Sequence, residues 1–470
     1  MVISSPGLAS GIDIKGIVSQ LVALERAPLA QLQNQASGFQ SKLSVFGTIT
    51  SMVSSLGDAG AKLAAAGTFA QVKATSSQTD AVTVSVAEGA VPTALSLEVV
   101  SLAKAQSTAS SAVPVGSGMG TGSLTITLGD WSSGTFAAGS STPVTINVVE
   151  GKDTLTDIAA QINGANAGVT ATVLRDASGE RLLMRSKDTG QALGYQVSAS
   201  DNNAGDGKDL GRLAFTSLTG SGMSLTQAGA NAVAKVNGIT IQSASNTVKD
   251  ALPGITLNLL KPTTSAADIT VSSDKDSMRK SVQAFVDAYN ALADMLATST
   301  KYDAATKVKG SLQGDSTAVG LQRAVRNMVR SETPGGTFTR LSDIGIEIKA
   351  DGKMSINTTK FDTALEKPSE LARLFGATSA DATSKGFGLK LDAFADGLVA
   401  ADGTLTSRTA SLRSAIDRNS REMDKVVDRA SRAEARYLAQ YNAMDASVAR
   451  LNSLNAYVGQ QITLWNKNSG

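Results

Sequence analysis

Residues 404–458 read "TLTSRTASLRSAIDRNSREMDKVVDRASRAEARYLAQYNAMDASVARLNSLNAYV", a run of 55 residues with neither glycine nor proline in a chain of 470 that holds 44 glycines. Glycine and proline punctuate helices, so their absence predicts one long helix here, or two. Ile416, Met423, Ala430, Tyr437, Met444, Leu451, Val458 and Trp465 recur every seven residues without a break. Val427, Tyr441, Val448 and Ile462 fall four residues after members of that set, Leu454 falls three after Leu451, and Arg, Asp and Glu occupy most outward positions. This is a heptad seam, and at the helical rise it extends for roughly 80 Å.

An apolar stripe of that width needs a partner. Near the other end of the chain Leu32, Phe39, Leu43, Phe46, Ile49, Val53, Leu56 and Leu63 repeat in steps of three, four or seven. The economical arrangement packs the first and last segments side by side and loops everything else out between them. Gly38, Gly47, Gly57 and Gly60 weaken the N-terminal helix, which therefore depends on that partner. Further upstream, "SPGLASGIDIKGIVSQLVALERAPL" (residues 5–29) is interrupted by Pro6, Gly7, Gly11, Asp13, Lys15, Glu25 and Arg26. It lacks the basic leader and unbroken apolar core of a cleaved signal, and no run of the chain is apolar for the 18 residues that a membrane helix requires. Ile14, Ile17, Val18, Leu21 and Leu24 give it one face for burial.

The middle differs in kind. Between Val72 and Val271 the alternating stretches "AVTVSV", "ALSLEVV", "SLTITL", "VTINVV" and "GITLNLL" read as strands separated by turns. One helix interrupts them, with Thr154 and Asp157 at capping-box spacing, Leu155, Ile158, Ala159 and Ile162 on one face, and Gly164 as the stop. After the β region, Met278, Val282, Phe285, Tyr289, Leu292 and Leu296 predict a third helix of the bundle. Leu321, Val325, Met328 and Val329 predict a shorter fourth. In "IGIEIKADGKMSIN" a three-residue Ala350–Gly352 loop sets Ile348 opposite Met354 and Ile346 opposite Ile356. The fold class is α+β and multidomain: terminal helices form a coiled-coil and helical-bundle unit, with β-rich structure inserted between them.

Composition narrows the chemistry. Lys and Arg number 43 against 41 Asp and Glu, leaving a net charge of +2, which gives nucleic acid no electrostatic footprint. With no Cys and no His, thiol nucleophiles, disulfides and the commonest metal ligands and general base are missing. "GSGMGTGS" (residues 116–123) precedes a strand rather than a helix and lacks the P-loop lysine, so it reads as a loop. "DNNAGDGKD" (residues 201–209) has oxygen donors, but Arg212 stands where a calcium loop requires its closing Glu. Trp131 in "GDWSSG" reads as a loop anchor rather than a sugar platform. No paired carboxylates stand out for catalysis, and the expected catalytic, cofactor and metal sites are none.

The stretch "ISSPGLASGIDIKGIVSQLVALERAPL", followed in order by "ALSLEVVSLAKAQ", "VNGITIQSASNTVKDALPGITLNLL", "FVDAYNAL" and "LNSLNAYVGQQITLWNKNSG", resembles the flagellar filament cap family, hook-associated protein 2. Residues from about Thr108 to Asn231 match least. The "GLASGID" start separates the chain from flagellin and the junction proteins. The resemblance implies two β-rich domains, the second nested in the first. It implies a terminal coiled-coil segment of residues 1–38 and 437–470 and a helical bundle of 39–71 and 274–436 with a hairpin near 344–357. It also implies a β-rich domain of 72–107 and 232–273, and an inserted one of 108–231. It implies a homo-oligomeric ring at the distal tip that retains flagellin and promotes its folding and insertion. Export would be through the flagellar secretion channel, with a cytoplasmic chaperone on the C-terminal helix and another hook-associated protein at the filament base as partners. The residues expected to carry assembly are Ile14, Ile17, Leu21, Leu24, Met444, Leu451, Val458, Ile462 and Trp465. The alternative reading is a secreted surface adhesin whose β domains bind host glycans or mucin.

Overall fold

Asp13 opens the first helix by accepting a hydrogen bond from the Gly16 amide at 2.9 Å, which satisfies one of the donors that a helix start leaves unpaired. The computed structural model describes residue 11 and residues 13–468 except 88, 204–206 and 221; Pro6 and Gly7 of the sequence reading lie outside them. Among the described residues there are eight α-helices: α1 (Ile14–Ala64), α2 (Leu155–Gly164), α3 (Lys275–Thr300), α4 (Ser316–Val329), α5 (Thr358–Leu365), α6 (Pro368–Gly376), α7 (Phe387–Val399) and α8 (Thr404–Asn468). The chain divides into two units, one holding residues up to Phe69 and from Asp276 onward, the other Ala70–Lys275.

In the helical unit α1 and α8 run antiparallel. Ile14, Val18 and Val22 are buried with Ala430, against Tyr437, Leu438 and Tyr441. Farther along α1, Glu25 pairs with Arg429 at 3.2 Å, Gln35 accepts from Asn419 at 3.3 Å, and Phe46 lies 5.8 Å beneath the Arg408 guanidinium. Pro28 sits inside α1, where a lost hydrogen bond and ring clash cost about 3 kcal/mol, so this helix holds only against α8. The seam on α8 alternates four and three: Ile416, Asn419, Met423, Val426, Ala430, Ala433 and Tyr437 are buried or half-buried. Val427, expected in the seam four residues after Met423, is instead 45% exposed and Val426 is 8% exposed. The reason is geometric, since a heptad's second apolar position follows the first by three residues and its return takes four.

The core of the bundle is built as the spacing on α3 predicts. Met278, Val282, Phe285, Tyr289, Leu292 and Leu296 are all buried. The hairpin Ile346–Ile348/Met354–Ile356 pairs Ile346 with Ile356 and Ile348 with Met354, and Gly352 takes the left-handed φ of 88° that the three-residue loop demands. It docks on α3 through Tyr289, whose hydroxyl donates to the Gly352 carbonyl at 3.1 Å. Asn290 brackets the Met354 amide and carbonyl at 2.7 and 3.0 Å. Asp315, buried, caps α4 by accepting from the Thr317 and Ala318 amides and receives Arg408 Nη2 at 2.6 Å, which fixes the start of α8. Helices α5, α6 and α7 complete the cluster with Phe361, Phe375 and Phe387.

Two of the α1 glycines are not weaknesses. A Cβ on Gly57 would stand 2.7 Å from the Ala395 Cβ, and one on Gly60 3.1 Å from the Gly388 carbonyl oxygen, so these positions let α7 approach α1 closely. Gly38 has nothing within 4 Å of the same point.

The other unit has two hydrophobic cores. The first lies between an antiparallel sheet ordered Val72–Ser76, Ala267–Ser273, Thr93–Ser101, Ala232–Val236, Ile239–Ser243 and a three-stranded sheet of Thr247–Leu252, Ile255–Leu259 and Val82–Val86. The second is nested in it and contains α2. Its sheets are Ser224–Gln227, Ser107–Ala109, Gly179–Ser186, Val169–Asp176, and Gly194–Asp201 beside Gly122–Asp130, which also pairs Ala137–Ala138 and Val144–Val148. The nested part leaves after Ser101 and returns at Ala232, on strands that pair with each other, Ser101 opposite Val233. Helix α2 carries the expected cap, with Thr154 Oγ1 accepting from the Asp157 amide at 3.2 Å, and buries the expected four residues. Its chain reversal falls beyond Gly164, at Asn166 and Gly168, where φ is 50° and 74°.

The two kinds of glycine are expected to respond oppositely to alanine. Gly38→Ala should stabilise the helical unit by about 0.5–1 kcal/mol through backbone entropy. Gly57→Ala should destabilise it by about 1–3 kcal/mol through overpacking against Ala395. Urea unfolding of the two variants beside the parent checks both signs.

Candidate functional site

The character of α8 changes along its length. From Thr404 to Tyr441 charged residues recur in nearly every turn, whereas from Ala446 to Asn466 Arg450 is the one charged residue. Over that distal stretch the apolar side chains are not covered: Leu451 is 61% exposed, Val458 45%, Ile462 52% and Trp465 75%. A helix that is apolar, uncharged and exposed carries a strong drive to bury itself against another surface.

The predicted assembly residues divide between two environments. Ile14 is fully buried, Ile17 and Leu21 are half-buried, and all three lie on the α1 segment that packs along α8. Leu24 is exposed, as are Met444, Leu451, Val458, Ile462 and Trp465. The face that α1 turns to α8 is Ile14, Val18, Val22, so Leu24 points away and Val22, passed over in the sequence reading, takes its place. Strict four-residue steps from Ile14 would have found Val22.

The loops considered for ligands are held by their own chain. In "GSGMGTGS", Gly118 approaches Asp153 so closely that a Cβ would lie 2.2 Å from its carboxylate oxygen, and Lys208 Nζ donates to the same oxygen at 2.9 Å. The Lys208 ammonium beside it holds the Asp153 carboxyl below the usual carboxylate range, against the opposing effect of burial. Asp201 in "DNNAGDGKD" is likewise lowered, by the Asn203 and Leu210 amides. Trp131 donates from its ring nitrogen to the Tyr195 carbonyl at 2.8 Å and packs edge-on to Phe215. Among the described residues no group of three or more acidic side chains could hold a metal ion, and no helix is long and apolar enough to cross a membrane.

Two family models match the chain: the N-terminal part of flagellar hook-associated protein 2 matches residues 10–106 and its C-terminal part residues 229–453. The chain belongs to the flagellar hook-associated protein 2 family. A flagellin hook IN motif matches residues 123–188, inside the nested core. Flagellar hook-associated protein 2 of Escherichia coli K12 is 29% identical over 98% of each chain. The A-type hook-associated protein 2 of Pseudomonas aeruginosa is also 29% identical, over 97% of this chain and 96% of its own. The crystal structure of the D1-D2-D3 domains of the Escherichia coli flagellar cap protein FliD matches with a TM-score of 0.62 at 28% identity, covering 78% of this chain and 99% of that one. Terminal helices with two β-rich domains inserted between them, the second nested in the first, are thus the architecture of this chain. The glycan-binding alternative finds no support: these relatives are named as hook-associated and cap proteins, and the Trp131 ring is engaged by Phe136 and Phe215.

Because the Asp153 carboxyl is depressed when folded, its pairing contributes stability that is present above about pH 4, the ordinary range of an unfolded carboxylate, and is lost as pH falls through the lower folded value. Lys208→Met should lower the melting temperature of the protein at pH 7 more than at pH 2.5, which calorimetry at the two pH values would read.

Proposed function

We propose that the protein caps the flagellar filament. Copies assemble as a ring at the distal tip, retain exported flagellin and promote its folding and insertion. The observation that carries this reading is the distal end of α8: a helix anchored by α1 up to about Tyr441, whose residues 446–466 then hold Arg450 as their one charge and leave Leu451, Val458 and Ile462 exposed, in a chain of the hook-associated protein 2 family. The cap acts by geometry. No bond is made or broken; flagellin's own folding supplies the free energy, and identical subunits present equivalent grooves around a closed ring.

Within this reading the terminal segments, 1–38 with 437–470, form the assembly layer. The bundle of 39–71 and 274–436 supports it, and the β-rich parts are 72–107 with 232–273 and 108–231. The residues assigned to assembly are Leu24, Met444, Leu451, Val458, Ile462 and Trp465, with Ile14, Ile17 and Leu21 anchoring α1 to α8. Before export the same uncharged end of α8 is the segment for a cytoplasmic chaperone to cover, and passage is through the flagellar secretion channel. A chain without cysteine suits threading unfolded. A second hook-associated protein meets the filament at its base.

Replacing Leu451 and Val458 by Asp should leave the β unit folded by circular dichroism and reduce the assembly to monomer by light scattering. Loss of the gene should leave cells that release flagellin into the medium and grow no filaments. Full-length filaments on such cells would refute the cap reading.

A further inference from the structure

A cleft of about 680 Å³ opens in the helical unit, walled by the end of α4, the 331–334 and 382–385 segments and one side of α7. Met328, Pro334, Leu389, Ala393 and Phe394 give it an apolar floor. At about 100° per residue, Leu389 and Ala393 stand opposite Phe387, Leu391 and Ala395, the residues that α7 buries in the core. A helix covered on one side alone carries polar residues on the other, and here the other side is apolar as well. Two half-buried lysines, Lys385 and Lys390, complete the lining. The Lys390 ammonium donates to the Glu332 and Thr383 carbonyls, which engages two of its three donors. Glu332, the one carboxylate in the lining, is taken by Arg340, whose Nε donates to it at 2.9 Å. Among the described residues no carboxylate forms an ion pair with Lys385 or Lys390. Burial alone, with no anion acting the other way, pushes the Lys390 amine below the usual lysine range.

We propose that this cleft binds a small amphiphilic carboxylate, its acidic head paired with Lys390 and Lys385 and its hydrocarbon body laid on Leu389, Ala393 and Phe394. The proposal stands apart from the cap reading. A half-buried ammonium with a donor to spare and no counter-ion calls for an anion, and the floor calls for an apolar body; one molecule carrying both satisfies the two demands together. Size favours a small ligand over a protein segment. The volume lies within the range of about 300–1,000 Å³ typical of small-molecule sites. The wall that α7 contributes runs from Leu389 to Phe394, about 7.5 Å of helix axis, short of the two turns over which a docked helix spreads its anchors.

Decanoate serves as the probe and decanol as its uncharged counterpart. Titration calorimetry on the full-length protein should show saturable decanoate binding, with decanol bound about tenfold more weakly for want of one charge-assisted hydrogen bond. Lys390→Met should weaken decanoate by about the same factor, and Lys390→Arg, which keeps the charge, by less. Ala393→Trp fills the cleft from an exposed position and should abolish binding, while circular dichroism melting checks that each variant is folded. Parent-strength binding of decanoate to both Lys390→Met and Ala393→Trp would overturn the proposal, as would decanol binding as tightly as decanoate, or a parent protein with no saturable binding. A synthetic Leu/Glu amphipathic helix that binds more tightly than decanoate, and loses that affinity in Ala393→Trp, would overturn the small-ligand reading in favour of a protein partner.

Discussion

The structure depends on the antiparallel contact of α1 with α8. Neither helix is self-sufficient: α1 carries Pro28 and five glycines, and α8 presents a continuous apolar stripe that water does not tolerate. Burial of Ile14, Val18 and Val22, each contributing about 1.5–3 kcal/mol, closes the far end of the pair. The near end is fixed differently, by Arg408 reaching both the Phe46 ring and the buried Asp315 cap of α4. Since α1 and α8 are the first and last described helices, their pairing clamps the two ends of the chain, and the β unit is an excursion between clamped ends.

That clamp also sets how much of the α8 seam is covered. Up to Tyr441 the apolar seam of α8 is consumed within the molecule; beyond it the stripe continues. The same physical pattern is thus satisfied within the molecule in one half of a single helix and left exposed in the other. The switch between the two is marked by the disappearance of charged residues.

Much of this was legible in the sequence because it is periodic. The heptads of α8, the six buried positions of α3, the Thr154 cap and the Ala350–Gly352 loop all follow from spacing and residue chemistry, and the structure reproduces them. The differences are of one or two residues within the helices. The spacing puts Val427 in the seam where the structure has Val426, and Leu24 on the inner face where it has Val22, because a count of matches at sevens and fours does not say which side of the helix the partner occupies. Helices α5 to α7 give no clear periodic signal. They are short and bounded by Pro368, Gly376 and Gly386, so local signals reading as loop were overridden by burial of Phe361, Phe375 and Phe387. Gly57 and Gly60 look locally like flaws in a helix; that they make room for α7 depends on a neighbour more than 300 residues away in the chain, which no local window contains.

The nested β domain is attached in a way that frees it from the rest. Its two tethers are Thr93–Ser101 and Ala232–Val236, adjacent strands of one sheet, with the Lys104 amide still donating to the Ala230 carbonyl at 2.8 Å just past them. The platform therefore fixes the separation of the tethers whatever is mounted on them, and the mounted portion can be exchanged, enlarged or remodelled without any change to the sheet beneath. A surface that evolves under pressure from its surroundings gains from such a socket: sequence drift there is decoupled from the helices that must go on fitting their own copies.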